Sequence, residues 1–182
     1  PHGLNDVPGL VIIKNRDSST GSWVTKHSKL TSSKVLFLDT SAAEGDSSYG
    51  EIKDLDNANT VTLDDTGNDA VNVNKNTEKY IMYAWTPIPG YSAFGQYRGN
   101  SSTTNGTYVY LGFKPKFLLR KKYITHTGSA YLENWVMNDS EQVKSNPLTE
   151  GLFTNTNAVG YSTQPFAVDF LSNGFKCYDN GH

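Results

Sequence analysis

Short apolar runs bounded by turn-forming clusters set the rhythm of this chain. Leu10–Ile13, Val35–Leu38, Tyr80–Trp85, Thr107–Leu111, Phe117–Leu119 and Phe166–Leu171 all have the length of β-strands rather than of helices. Between them lie Asn15-Arg16-Asp17-Ser18-Ser19, Gly99-Asn100-Ser101-Ser102, Asn105-Gly106 and Ser172-Asn173-Gly174. Gly and Asn in such clusters tolerate the positive φ of tight turns. No window of about 11 residues or more carries a helical apolar period, so no helix is predicted. The pattern predicts an all-β fold, an antiparallel β-sandwich forming a single domain over residues 1–182. The stretch from Thr86 to Gly99 does not divide it, because Pro87 and Pro89 stiffen a segment no longer than the other loops.

Three strings recur in order. Val7-Pro8-Gly9-Leu10-Val11-Ile12-Ile13-Lys14 reads like Lys114-Pro115-Lys116-Phe117-Leu118-Leu119-Arg120-Lys121 at an offset of 107. Gly21-Ser22-Trp23-Val24 faces Glu133-Asn134-Trp135-Val136 at 112, and Leu36-Phe37-Leu38-Asp39 faces Leu152-Phe153-Thr154-Asn155 at 116. A slowly rising offset is what loop insertions produce in a duplicated unit. The reading is an internal repeat of about 107–116 residues, with units near 1–90 and 91–182. The second unit then lacks a counterpart of Tyr80–Trp85. Either the polypeptide continues or another segment completes the sheet, and an edge left unpaired would invite association.

Composition agrees with the strand reading and removes several functions. Aromatic residues make up 12% of the chain and charged residues only 19%. A formal charge of -2 supplies no basic field to condense on nucleic acid or an anionic bilayer. No apolar run is long enough to insert in a membrane as a helix. Cys177 is the only cysteine, which excludes an intrachain disulfide and a CxxC site. The start, Pro1-His2-Gly3, has neither an initiator Met nor a signal-peptide pattern, so the chain reads as part of something longer.

Several strings carry a family resemblance. They are Val11-Ile12-Ile13-Lys14-Asn15-Arg16-Asp17, Gly21-Ser22-Trp23, Pro89-Gly90-Tyr91-Ser92-Ala93-Phe94-Gly95-Gln96-Tyr97-Arg98-Gly99-Asn100, Tyr108-Val109-Tyr110-Leu111-Gly112-Phe113-Lys114-Pro115-Lys116-Phe117 and Asp169-Phe170-Leu171-Ser172-Asn173-Gly174-Phe175-Lys176. Together and in this order they resemble a domain of tailed-phage virion proteins, many of them marine. The chain departs from that pattern at Tyr123–Tyr131, where an insertion follows the strand. The resemblance implies a concanavalin-like, lectin or jelly-roll type of sandwich on a tail fibre or other exterior appendage. It also implies a homo-oligomer, a trimer in fibres, that touches neighbouring virion proteins or a host cell-surface glycan. No catalytic motif comes with it. The alternatives are a capsid-decorating structural module without a receptor, and a carbohydrate-binding or carbohydrate-active domain of cellular origin.

A jelly-roll glycosidase needs two carboxylates facing one cleft, and no apolar strand here carries such a pair, so no enzyme is expected. Glu44, Asp46, Glu51, Asp54, Asp56, Asp64, Asp65 and Asp69 instead crowd a Gly- and Asn-rich stretch that reads as a solvated loop. Within it Asp54, Asp56 and Asn57 have the hard oxygen ligands that Ca²⁺ prefers, although the EF-hand pattern fails at Ala58. Those three are the candidate calcium ligands, and no other cofactor is expected. His2, His27, His126 and His182 have no partners at metal-ligand spacing. Cys177 has no basic neighbour along the chain except Lys176. The basic run Lys114, Lys116, Arg120, Lys121 and Lys122 reads as gatekeeping charge on an exposed strand end. Trp23, Trp85 and Trp135 lie in apolar strands and are assigned to the core. Tyr91, Phe94 and Tyr97, in a Gly-bracketed stretch between the units, are the candidate contact surface, with packing between the units as the competing use.

Overall fold

In the computed structural model, residues 1–46, 51–64, 72–124, 134–142, 144–157 and 167–178 are described. Asp65, Asp69, His126 and His182 fall outside them, as does most of the insertion after Tyr123. The described residues form thirteen strands and no α-helix: β1 (Leu10–Asn15), β2 (Trp23–His27), β3 (Lys34–Phe37), β4 (Gly45–Asp46), β5 (Glu51–Ile52), β6 (Leu63–Asp64), β7 (Tyr80–Trp85), β8 (Thr107–Tyr110), β9 (Phe117–Arg120), β10 (Val136–Asp139), β11 (Leu152–Phe153), β12 (Val168–Leu171) and β13 (Gly174–Cys177). Every pairing between them is antiparallel. The fold is all-β and sandwich-like.

Among the described residues four sheets result: a five-stranded sheet β4-β3-β2-β1-β7, three-stranded sheets β11-β10-β9 and β12-β13-β8, and the hairpin β5-β6. The inner face of the five-stranded sheet supplies Val11, Ile13, Val24 and Val35, which pack with Ile52 and Val73 into one core. A second core gathers Leu148, Val168, Phe170, Phe175 and Cys177, and Leu118 of β9 packs against it. Alternation along each strand explains the selection, since Val11 and Ile13 point inward while Leu10 and Lys14 do not.

The resemblance strings act as joints. Asn15 is buried, and its Oδ1 accepts the N–H groups of Asp17 (2.9 Å) and Ser18 (3.1 Å), which closes the turn after β1. Its amide also donates to the Tyr80 hydroxyl at 3.2 Å, and the Asp17 carboxylate accepts the Lys79 N–H at 2.8 Å. The entrance of β7 is thus held to the end of β1. At the other end of the chain, Ser172-Asn173 turns β12 into β13, and the Asn173 carbonyl accepts the N–H groups of Leu111 and Gly112. Gly174 lies so close to β8 that a Cβ there would sit 2.0 Å from the Val109 oxygen, so no larger residue fits.

The recurring strings fall on β1, β2 and β3 and on β9, β10 and β11. Ile13 pairs with Val24 and Val24 with Phe37; Arg120 pairs with Val136 and Val136 with Phe153. The flanking hydrogen bonds correspond as well. Ser28 donates to Gly9 O at 3.0 Å and Ser140 to Lys116 O at 2.9 Å. The Trp23 N–H reaches Asp39 Oδ1 at 3.2 Å, and the Trp135 N–H reaches Asn155 Oδ1 at 3.0 Å.

One sequence expectation needs correcting. Trp135 is in the interior, its indole N–H donating to Phe37 O at 2.9 Å, but Trp85 is 42% exposed and Trp23 only half-buried. The cause is strand parity at a sheet edge. Tyr80 and Ala84 pack on the first core, which sends Ile81, Tyr83 and Trp85 to the opposite face, and among the described residues no strand lies beyond β7.

Candidate functional site

On the outer face of the five-stranded sheet, β1 pairs Ile12 with Tyr83, Leu10 with Trp85 and Lys14 with both Ile81 and Trp23. These pairings place Trp23, Tyr83 and Trp85 side by side across three strands. Trp23 and Tyr83 have ring centroids 6.5 Å apart with planes within 18°, and Tyr83 and Trp85 have centroids 6.1 Å apart within 14°. Such spacing at near-parallel orientation is the offset arrangement, in which neighbouring rings are displaced sideways rather than sandwiched. Tyr83 remains 41% exposed at the centre of the row.

The polar tips matter as much as the faces. A buried Trp or Tyr finds a partner for its N–H or O–H, as Trp135 does. Neither the Trp23 and Trp85 indoles nor the Tyr83 hydroxyl has a hydrogen-bond partner among the described residues. The row therefore presents flat apolar rings together with free donors. The sequence reading missed it because every residue of Tyr-Ile-Met-Tyr-Ala-Trp is apolar or aromatic, so alternation could not say which half faces water. The signal that was available is two aromatics at i and i+2, Tyr83 and Trp85, which share one face of any strand.

The candidates between the units go to three places. Tyr91, 77% exposed, projects from the tight turn that Ile88 and Ser92 close and in which Gly90 takes φ +76°. Phe94 packs edge-on to His27 at 6.4 Å and fills the space over Gly9, where a Cβ would lie 2.6 Å from its ring. Tyr97 meets Phe175 edge-on at 5.9 Å with 39% of its surface open, and the protein crowding its hydroxyl end, followed by the neighbouring Cys177, pushes its pKa up. Phe94 thus anchors this segment to the first sheet and Tyr97 anchors it to β13. Tyr91 is the most open of the three, and Tyr97 still leaves 39% of its surface exposed.

Two of the calcium candidates, Asp54 and Asn57, are engaged with protein groups, and Asp56 is exposed. Asp54 Oδ1 lies 2.8 Å from the Lys26 ammonium, whose side chain is only 2% exposed and which also donates to Lys34 O at 2.8 Å. Lys26, then the Ser32 hydroxyl and the Ser33 N–H, hold the Asp54 carboxyl down at about 2. Asn57 Oδ1 accepts from the N–H groups of Asn59 and Thr60, closing its own turn. No group of three or more His, Cys, Asp or Glu gathers into a metal site among the described residues. Lys26, His27, Ser32 and Asp54 line a shallow cleft of about 250 Å³. Its ion pair is satisfied internally, and burial and then Lys29 lower the His27 pKa, so the imidazole is neutral at neutral pH.

Cys177 does have a basic neighbour, unseen along the chain: the Arg120 guanidinium approaches its sulfur at 3.0 Å from 57 residues away. Lys121 donates to the carbonyls of Ser41 and Lys122, so this part of the basic run joins the two halves of the molecule.

Among known proteins, the family model described as a domain of unknown function (DUF7483) matches residues 1–182. No curated protein and no solved structure matches.

Proposed function

We propose, for a chain that belongs to the DUF7483 family, a non-enzymatic glycan-binding role on an exterior appendage of a virion. The row of Trp23, Tyr83 and Trp85 is the observation that carries the glycan half of this reading. The C–H face of a pyranose stacks on an aromatic ring, and its hydroxyls need donors and acceptors around the ring's edge. Three near-parallel rings with unengaged indole N–H and phenol O–H groups offer both. Exposed aromatic surface on an edge strand carries a solubility cost, which a ligand-binding role accounts for. The virion half rests on the resemblance of the strings around Asn15, Tyr91 and Asn173 to tailed-phage domains.

A glycan array probed with the purified domain, followed by calorimetry on any hit, tests the proposal. Trp85→Ala and Tyr83→Ala should each weaken binding at least tenfold while the far-UV circular dichroism and melting temperature hold. Binding that survives both substitutions refutes the assignment of the row. A silent array, with the same substitutions releasing the domain from assembled particles, would make the row a contact with another virion protein.

A further inference from the structure

The two equivalent ladders differ at one edge. In the first, β1 is flanked on both sides, by β2 and by β7; in the second, β9 has β10 on one side and no strand on the other among the described residues. The direction of each backbone group follows from the bonds already named. Ser140 donates to Lys116, so alternate residues of β9 face β10 and the N–H and C=O of Phe117 and Leu119 point to the open edge. Their counterparts at the offset of 107, Leu10 and Ile12, are the residues of β1 opposite Trp85 and Tyr83 of β7.

The chain has a second open edge of the complementary kind. β7 ends the five-stranded sheet, and since Arg16 donates to Lys79 O, the N–H and C=O of Met82 and Ala84 point away from β1. None of the four residues Met82, Ala84, Phe117 and Leu119 has another backbone partner among the described residues. Both edges also expose apolar side chains, Met82 at 38% and Phe117 at 51%. Two such edges on one molecule are templates for strand addition.

We infer that the β9 edge of one copy accepts the β7 edge of a second copy, head to tail. Antiparallel pairing of Met82 with Leu119 and of Ala84 with Phe117 satisfies the outward N–H and C=O groups of all four residues. It also brings Met82 and Phe117 to the same face of the joined sheet, diagonally adjacent, where each covers the other. A heterologous contact of this kind closes into a ring when its rotation permits. In this register Tyr83 lies opposite Leu118, which packs on the second core, so the face carrying the aromatic row runs on into the core-facing side of the second copy's β9 and the interface borders that row.

Sedimentation mass across a dilution series is the test. The wild-type protein should run as a multiple of 20.1 kDa. Met82→Pro and Leu119→Pro each delete a donor that points outward, which an edge strand tolerates without losing its own ladder. Each variant alone should be monomeric with unchanged circular dichroism. Mixed, they should form a 1:1 pair, because Leu119→Pro keeps a working β7 edge and Met82→Pro a working β9 edge. If either variant fails to fold, a synthetic peptide spanning Lys79–Thr86 takes its place and should dissociate the wild-type assembly. A wild type of 20.1 kDa at every concentration overturns the inference. So do folded variants that keep the wild-type mass, and so does self-association of Leu119→Pro alone, which would mean that β7 pairs with β7.

Discussion

Replacing Asp54 by asparagine removes the counter-charge from an ammonium that has little access to water. The Lys26 side chain is 2% exposed, and its nitrogen has Asp54 Oδ1 and Lys34 O each at 2.8 Å. Deleting one partner of a fully buried pair costs about 3–5 kcal/mol because the other charge is left uncompensated. Asp54 is 46% exposed, so water screens the pair and can partly replace the carboxylate. Discounted for that, the expected loss is about 2 kcal/mol, or a fall in Tm of roughly 4–8 °C for a chain of this size. The pH dependence has a definite sign. The carboxyl is held at about 2 in the folded protein against 3.8 ordinarily, so its contribution is complete above 3.8 and is lost as pH falls toward 2. Urea unfolding of both proteins at neutral pH and at steps down to pH 2 checks this. The wild-type advantage should be constant down to about pH 4 and shrink below it. Equal stabilities at neutral pH, or an advantage undiminished at pH 2, would refute the reasoning.

Gly174→Ala should destabilise by about 2 kcal/mol or more, since its Cβ would meet the Val109 oxygen at 2.0 Å and must part β13 from β8; denaturant midpoints measure this. Ile52→Ala, at a fully buried position in the first core, should cost about 2–5 kcal/mol in the same assay, whereas Tyr91→Ala, at an exposed turn, should stay within ~0.5 kcal/mol. The Cys177 thiol is buried in the second core, so maleimide labelling should proceed only as fast as the protein opens, and should accelerate in step with urea-induced unfolding.

Much of the architecture is legible along the chain because it is local. The apolar runs at Leu10, Val35, Tyr80, Thr107 and Phe117 all become strands, Asn15 sits at a turn where its side chain bonds backbone two and three residues on, and Ser172-Asn173 forms the turn between β12 and β13. The offset strings fall on ladders whose registers correspond residue for residue. The candidate site was less legible. Tyr91, Phe94 and Tyr97 stand three residues apart in sequence and look alike, yet Tyr91 points into solvent, Phe94 packs on the first sheet and Tyr97 rests against Phe175 with part of its ring open. Nothing in the local pattern around Lys26 marks it as buried, and only the fold brings Asp54 Oδ1 to 2.8 Å from its ammonium with the side chain 2% exposed.

The sequence by itself determined that the chain is built of antiparallel strands, where most of them begin, and which turns join them, because alternation and turn chemistry act over a few residues. Only the tertiary structure decided which side of β7 meets water. Both of its faces are apolar, so the choice was made by where Val11, Ile13 and Val24 were already buried and by the absence of a strand beyond β7 among the described residues. That choice puts Trp85 and Tyr83 beside Trp23 in the open, and it is made by contacts between residues some sixty positions apart that no local pattern records.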